Sequence, residues 1–267
     1  MLKQGVKAMV LLLSVLLSCA ATAQEKDKAM EEIAKYREML ADGNPAELLE
    51  MKGEELWKTR RGPKNESLEK CDLGLGAGVV DGAYAQLPRY FADTGKVMDA
   101  ESRLVHCITS LQGYRVQDLT KEWWKNEDLI SVITWIGARS NGQKINVALK
   151  HAKEKESYAL GEYIFYRRSG PQDFSCSICH GQDGVRIRLQ DLDNLSKAQG
   201  AQKAMASWPA YRVSQGQVWT MQRRLIDCMR QARWPEPKFP SEMAVALQSY
   251  LQVKANGAEL KSPWIKR

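Results

Sequence analysis

The stretch from Phe174 to Gly184, FSCSICHGQDG, sets two thiols and an imidazole close together at Cys176, Cys179 and His180. The order C-x-x-C-H is the attachment signal of a c-type haem. Each thiol adds across one haem vinyl group, and the two intervening residues set the sulfurs about one helical turn apart. The histidine after the second thioether is then held beneath the iron as an axial ligand. The same residue types could serve a redox C-x-x-C or half of a zinc site. Zinc needs a second ligand pair, and the chain has no other C-x-x-C and no H-x-x-x-H. The spacing predicts one covalently bound haem c on Cys176 and Cys179, with His180 on the iron.

Haem of this type is attached outside the cytoplasm, and the N-terminus fits that route. MLKQGVKAMVLLLSVLLSCAATAQ carries Lys3 and Lys7, an apolar run, and then Ala21-Thr22-Ala23 before Gln24. It reads as a secretory signal peptide spanning 1–23, with the mature protein in the periplasm. LLSC, ending at Cys19, also resembles a lipoprotein cleavage box, the alternative to cleavage after Ala23. The apolar run is too short for a membrane span, and no later segment is long and apolar enough to cross a bilayer. The formal net charge is +7, from 39 Lys and Arg against 32 Asp and Glu. No concentrated basic tract with interleaved aromatics accompanies it, so nucleic-acid binding is not read here. A solvated basic surface, or attraction for small anions or an acidic partner, remains.

Beyond the haem pair, the mature chain holds Cys71, Cys107 and Cys228. An oxidising compartment favours pairing, yet three is odd. An internal repeat sorts them. GEELWKTRRGP (53–63) matches GEYIFYRRSGP (161–171). LPRYFADTGKVMDAESRLVHC (87–107) aligns without gaps on WPAYRVSQGQVWTMQRRLIDC (208–228). EDLISVITWIGARSNG (127–142) pairs with EMAVALQSYLQVKANG (242–257). The expected architecture is mainly α with long loops. It comprises N-terminal helices and a first unit over 24–149, a charged linker over 150–160, and a second unit over 161–267. Two helices are expected ahead of the first unit, in KAMEEIAKYREMLADG and in NPAELLEMKGEELW, the latter started by Asn44-Pro45. Ser241 should cap the closing helix, with Met243, Leu247, Tyr250 and Leu251 as its buried stripe.

Where the second copy has C-x-x-C-H the first has CDLGL, which keeps Cys71 but lacks the second thiol and the histidine. Attachment and ligation both fail there. Cys71 and Cys107 become spare partners in one domain, and a disulfide between them is expected. Cys228 is left alone, in a helical stretch, TMQRRLIDCMRQ, with Arg224 four residues earlier on the same face. A buried inert thiol is one reading of Cys228. The other is a thiolate on the far side of the iron, in the region that supplies the second ligand in a haem domain of this kind. Met221 is a weaker rival, and His106 and His151 lie in the haemless half or the linker. Arg224 would serve either a surface or haem-propionate ion pair, or an oxyanion held by its planar fork.

The signal peptide, the haemless first copy, DFSCSICHG, WPAYR and QRRLIDC together resemble the monohaem SoxA subunits of the sulfur-oxidising SoxAX cytochromes, across essentially the whole mature chain. That resemblance implies two tandem cytochrome c-like domains, the first without haem, and an L-cysteine S-thiosulfotransferase activity. Such an enzyme conjugates thiosulfate oxidatively to a cysteine of the SoxYZ carrier protein. Electrons leave through a SoxX cytochrome partner to an acceptor cytochrome. The resemblance makes Cys228 the catalytic sulfur and distal iron ligand, carried as a persulfide, and Arg224 the substrate-binding residue. Arg186, Arg188 and Lys254 stay open as further substrate contacts. A periplasmic electron-transfer cytochrome with Cys228 as a structural ligand is the alternative.

Overall fold

The computed structural model describes residues 43–187 and 190–266, together with isolated positions between 28 and 39. The signal peptide and Cys19 lie outside the described residues, as does most of the expected helix over 28–43. Residues up to Asn44 form one unit and residues from Pro45 onward another.

Within the second unit, the first copy opens with helix α1 (Ala46–Lys58), entered through Pro45 in helical conformation as the Asn-Pro pair predicts. A hairpin follows, β1 (Arg89–Phe91) and β2 (Lys96–Met98), then helix α2 (Ala100–Cys107) and helix α3 (Glu127–Ala138). The second copy contains α4 (Ala152–Tyr166), the short α5 (Cys176–His180), the two-residue strands β3 (Arg186–Ile187) and β4 (Gln190–Asp191), and α6 (Ala198–Met205). It continues with β5 (Ala210–Arg212), β6 (Gln217–Trp219), α7 (Met221–Gln231), α8 (Glu242–Lys254) and β7 (Trp264–Lys266). Strand β5 lies between β6, antiparallel to it, and β7, parallel to it. The class is mainly helical, as expected, with the strands confined to short hairpins and one edge addition.

The repeat is visible atom by atom. Leu87-Pro88 and Trp208-Pro209 are both cis. Hairpin β1–β2 pairs Arg89 with Met98, and β5–β6 pairs Ala210 with Trp219, the same register one copy later. Gly95 and Gly216 turn these hairpins at φ of 65° and 61°, a left-handed conformation that glycine adopts without steric cost. The central helix pairs match as well. Gly53 of α1 lies against Ser131 and Trp135 of α3, and Gly161 of α4 lies against Ala246 and Tyr250 of α8. Any side chain there would press into the facing backbone, so glycine sets how closely each pair can approach.

The expected linker over 150–160 is mostly helix. His151 caps α4, its Nδ1 accepting from the Lys153 amide at 3.2 Å. Glu154, buried, accepts from the amides of Lys150, His151 and Tyr90. The charged residues that look like a solvated joint therefore fasten the second copy to β1 of the first. Ser241 caps α8 through the Ala244 amide at 3.2 Å, and Leu247, Tyr250 and Leu251 are buried as predicted, with Met243 half-buried. Most of the buried apolar residues of both copies form one connected core, with Ala46, Ile130 and Val218 in a second, smaller cluster.

A polar seam also crosses between the copies. The Gln222 amide of α7 donates to Glu101 Oε2 at 2.8 Å, and the Gln222 side chain donates to Asp99 and Ser102. Gln248 of α8 donates to the same Asp99 carboxylate. Glu101 and Gln222 occupy equivalent positions in the two copies, so the duplicated helices meet at matching residues.

Candidate functional site

In the first copy, the stretch aligned with C-x-x-C-H is CDLGL, which has one cysteine and no histidine. Cys71 and Cys107 form a disulfide with their Cα atoms 5.6 Å apart, tying CDLGL to the end of α2. Asp72 folds the loop on itself by accepting from the amides of Gly74 and Gly76. Arg103, 3% exposed, is well engaged: its Nη1 donates to both Asp93 carboxylate oxygens, its Nε donates to the Asp72 carbonyl, and the guanidinium stacks on Phe91 at 4.1 Å. His106 sits 3.7 Å from the same Asp93.

In the second copy, the equivalent stretch forms α5, and Cys176, Cys179 and Cys228 are all free thiols, each partly exposed. His180 is held by a 3.0 Å hydrogen bond between its Nδ1 and the Asp193 carbonyl. A carbonyl can only accept, so Nδ1 carries the proton and Nε2 is left with its lone pair. This is the usual way a protein fixes a ligating imidazole. Burial, reinforced by the positive charge of Arg224, lowers the His180 pKa and keeps the ring neutral. Burial pushes the Cys176 thiol up to about 12, with the neighbouring Cys228 adding to the rise, and raises Cys179 for the same two reasons.

From helix α7, Cys228 lies near enough to both thiols of α5 to raise their pKa, and Arg224 near enough to His180 to lower its pKa. The four-residue spacing puts Arg224 and Cys228 on one face, as the sequence predicts. Arg224 is 27% exposed and touches Asp227 only at 3.5 Å. Asp227 is engaged elsewhere, by Arg230 at 2.7 Å and by Gln231 at 2.5 Å. Of the other candidates, Met221 is buried in the core and His151 caps α4, stacked on Tyr90. Arg186 pairs with Asp191, and Lys254 donates to the Ser196 carbonyl. Arg188 lies outside the described residues.

One cation beside Cys228 had no role in the sequence reading. Arg212, at the end of β5, senses Arg224, Asp227 and Cys228. It belongs to WPAYR, a motif noticed for its likeness and not for its charge. The usable signal was the alignment of the copies, which places Arg212 opposite Phe91.

The donor set suits a haem c: two unbridged thiols on one helical turn, a neutral imidazole with a free Nε2, and a third sulfur brought to them by a separate helix. Fold and site define a cytochrome c domain in tandem, with one copy stripped of its ligands. A model of the SoxA/TsdA cytochrome c domain matches residues 52–145 and 160–260, one segment per copy. The chain belongs to this family and, within it, to the SoxA subunits. It is 50% identical over its full length, and the relative's, to the L-cysteine S-thiosulfotransferase subunit SoxA of Hydrogenophilus thermoluteolus. It is 33% identical, over 94% of its own length and 93% of the relative's, to a SoxA subunit of Hydrogenobacter thermophilus. The crystal structure of SoxXA from P. pantotrophus shares the fold, with a TM-score of 0.72 at 24% identity over 87% of this chain and 84% of that one.

Proposed function

We propose that this chain is the haem-bearing subunit of an L-cysteine S-thiosulfotransferase, which joins thiosulfate to a cysteine of the SoxYZ carrier. One observation carries this reading above the others: α7 presents Cys228 and a loosely held Arg224 together, beside the C-x-x-C-H turn. The full-length relatives bearing that name support it. In this reading Cys176 and Cys179 of the 161–267 half would hold one haem c covalently, and His180 and Cys228 would hold its iron. The half within 24–149 carries none. The signal peptide sends the mature chain to the periplasm, where a SoxX cytochrome is its partner.

The reaction unites two sulfur nucleophiles. A carrier thiolate and the outer sulfur of thiosulfate become linked by an S–S bond, and two electrons leave. Bound haem supplies a one-electron acceptor, so a second one-electron centre is needed, which the SoxX partner and an acceptor cytochrome provide. This chain's residues do the rest. Arg224 offers its guanidinium fork to the oxyanion end of thiosulfate. Cys228 supplies the sulfur that carries the substrate-derived group. His180 is held neutral and oriented through the Asp193 carbonyl.

Chain matured in a periplasm, combined with SoxX, thiosulfate, an oxidant and reduced SoxYZ, should add a thiosulfate-derived mass to the carrier cysteine. Reversible one-electron chemistry that ignores thiosulfate, with no carrier mass gain, would leave an electron-transfer cytochrome instead.

A further inference from the structure

We propose that Arg212 is a second anion-binding arginine of the Cys228 site, so that thiosulfate is held between two guanidinium groups. The proposal deepens the function given above and rests on thiosulfate being the substrate. It comes from comparing the two copies position by position. In the first copy, Arg103 has a full counter-ion in Asp93 and an aromatic partner in Phe91. In the second, the equivalent arginine is Arg224, and the alignment without gaps puts Ser214 in place of Asp93 and Arg212 in place of Phe91. One change removes an anion, and the other adds a cation.

The surroundings do not compensate. No carboxylate among the described residues forms an ion pair with Arg212, and its Nε is buried without a hydrogen-bond partner. The guanidinium is instead held flat by Trp219, its Cζ 4.9 Å from the ring centroid. Arg223 contacts the same indole at 4.5 Å but points its donors away, to the Trp124 carbonyl and Gln217. Asp227 is the nearby acid, and Arg230 and Gln231 already engage it. Two half-buried arginines thus share one engaged carboxylate beside a free thiol. Like charges so placed repel unless an anion joins them, and the donors left open suit the several oxygens of a small oxyanion.

The test uses haem-loaded protein in complex with its SoxX partner. Thiosulfate binding is measured by calorimetry at low ionic strength, and KM and kcat by carrier conjugation. Arg212→Gln should weaken thiosulfate binding about tenfold or more, the scale of one charge-assisted contact. KM should rise while kcat changes little, and the haem spectrum and potential should stay at parental values. Arg212→Lys should recover part of the binding. Ser214→Asp places the first copy's counter-ion on an exposed turn, where folding is not at risk, and should also weaken binding. Parental binding in Arg212→Gln together with Ser214→Asp would overturn the proposal. So would a shifted haem potential with unchanged binding, which would assign Arg212 to the haem carboxylates. If thiosulfate binds through Arg212 but none reaches the carrier, the proposed function fails and the two-arginine cradle stands. A parent that binds no thiosulfate overturns both.

Discussion

Glu101→Gln tests the seam that fastens the Cys228 helix to the first copy. Glu101 is 2% exposed and accepts the Gln222 amide at the start of α7, with the Asp99 carboxylate close by. Burial, and then the charge of Asp99, raise its pKa from an ordinary 4.5 to about 8. The folded state therefore keeps a proton that the unfolded chain has released between these two values. Stability must fall as pH rises from about 4.5 to about 8 and stay level above that. At about 1.4 kcal/mol per pH unit, the full rise amounts to at most about 5 kcal/mol at pH 8. Gln is isosteric, neutral at every pH and still offers an oxygen to the Gln222 amide. The variant should match the parent near pH 4.5 and exceed it at pH 8. The gain in Tm should be about 10 °C or somewhat more, since each kcal/mol moves a chain of this size by about 2–4 °C. Scanning calorimetry of the haem-loaded protein at pH 5 and pH 8 reads this directly. An equal fall in Tm with pH in parent and variant, or a variant less stable at pH 8, would refute a protonated Glu101 in the seam.

Three further outcomes follow from the geometry. Opening the Cys71–Cys107 bridge with paired serines should cost about 3–4 kcal/mol, the chain-entropy value for a loop of 36 residues, and leave haem content near the parental value; denaturant titration and pyridine haemochrome analysis measure the two. Gly161→Ala should destabilise the fold by about 2–3 kcal/mol, because its methyl group would press on the Ala246 carbonyl and the Tyr250 Cβ; a variant as stable as the parent would show that α4 and α8 are not packed at glycine distance. Cys179→Ala should remove one of the two thioethers, read as a red-shifted pyridine haemochrome band from the unreacted vinyl group, whereas Cys71→Ala should keep the parental band.

Much of this could be read from the chain because the duplication marks its own turns. Proline and glycine recur where a cis bond or a left-handed hairpin is needed, and Cys71 and Cys107 are left to each other once the C-x-x-C-H pair is set aside. Arg224 and Cys228 are legible because helical spacing alone puts them on one face. The start of α4 was not legible. Its lysines and glutamates look solvated, and nothing local reveals that Glu154 turns inward to the amide of Tyr90. The Asp99–Glu101–Gln222 seam was equally hidden, since its partners are more than a hundred residues apart and buried acids leave no periodic trace. Arg212 lay in plain view, but its meaning depends on Trp219 and on the absence of a counter-ion among the described residues, which only the folded copies display.

The central claim is that Cys228 is a reactive sulfur and not merely an iron ligand. Cys228→Met separates the two, because a thioether can still ligate but cannot carry a sulfur-derived group. It is measured by mass spectrometry of the SoxYZ carrier cysteine after incubation with SoxX, thiosulfate and an oxidant. The account predicts a variant with parental haem content, a raised haem potential because a neutral ligand replaces an anionic one, and no thiosulfate on the carrier. Carrier conjugation at the parental rate by Cys228→Met would contradict it.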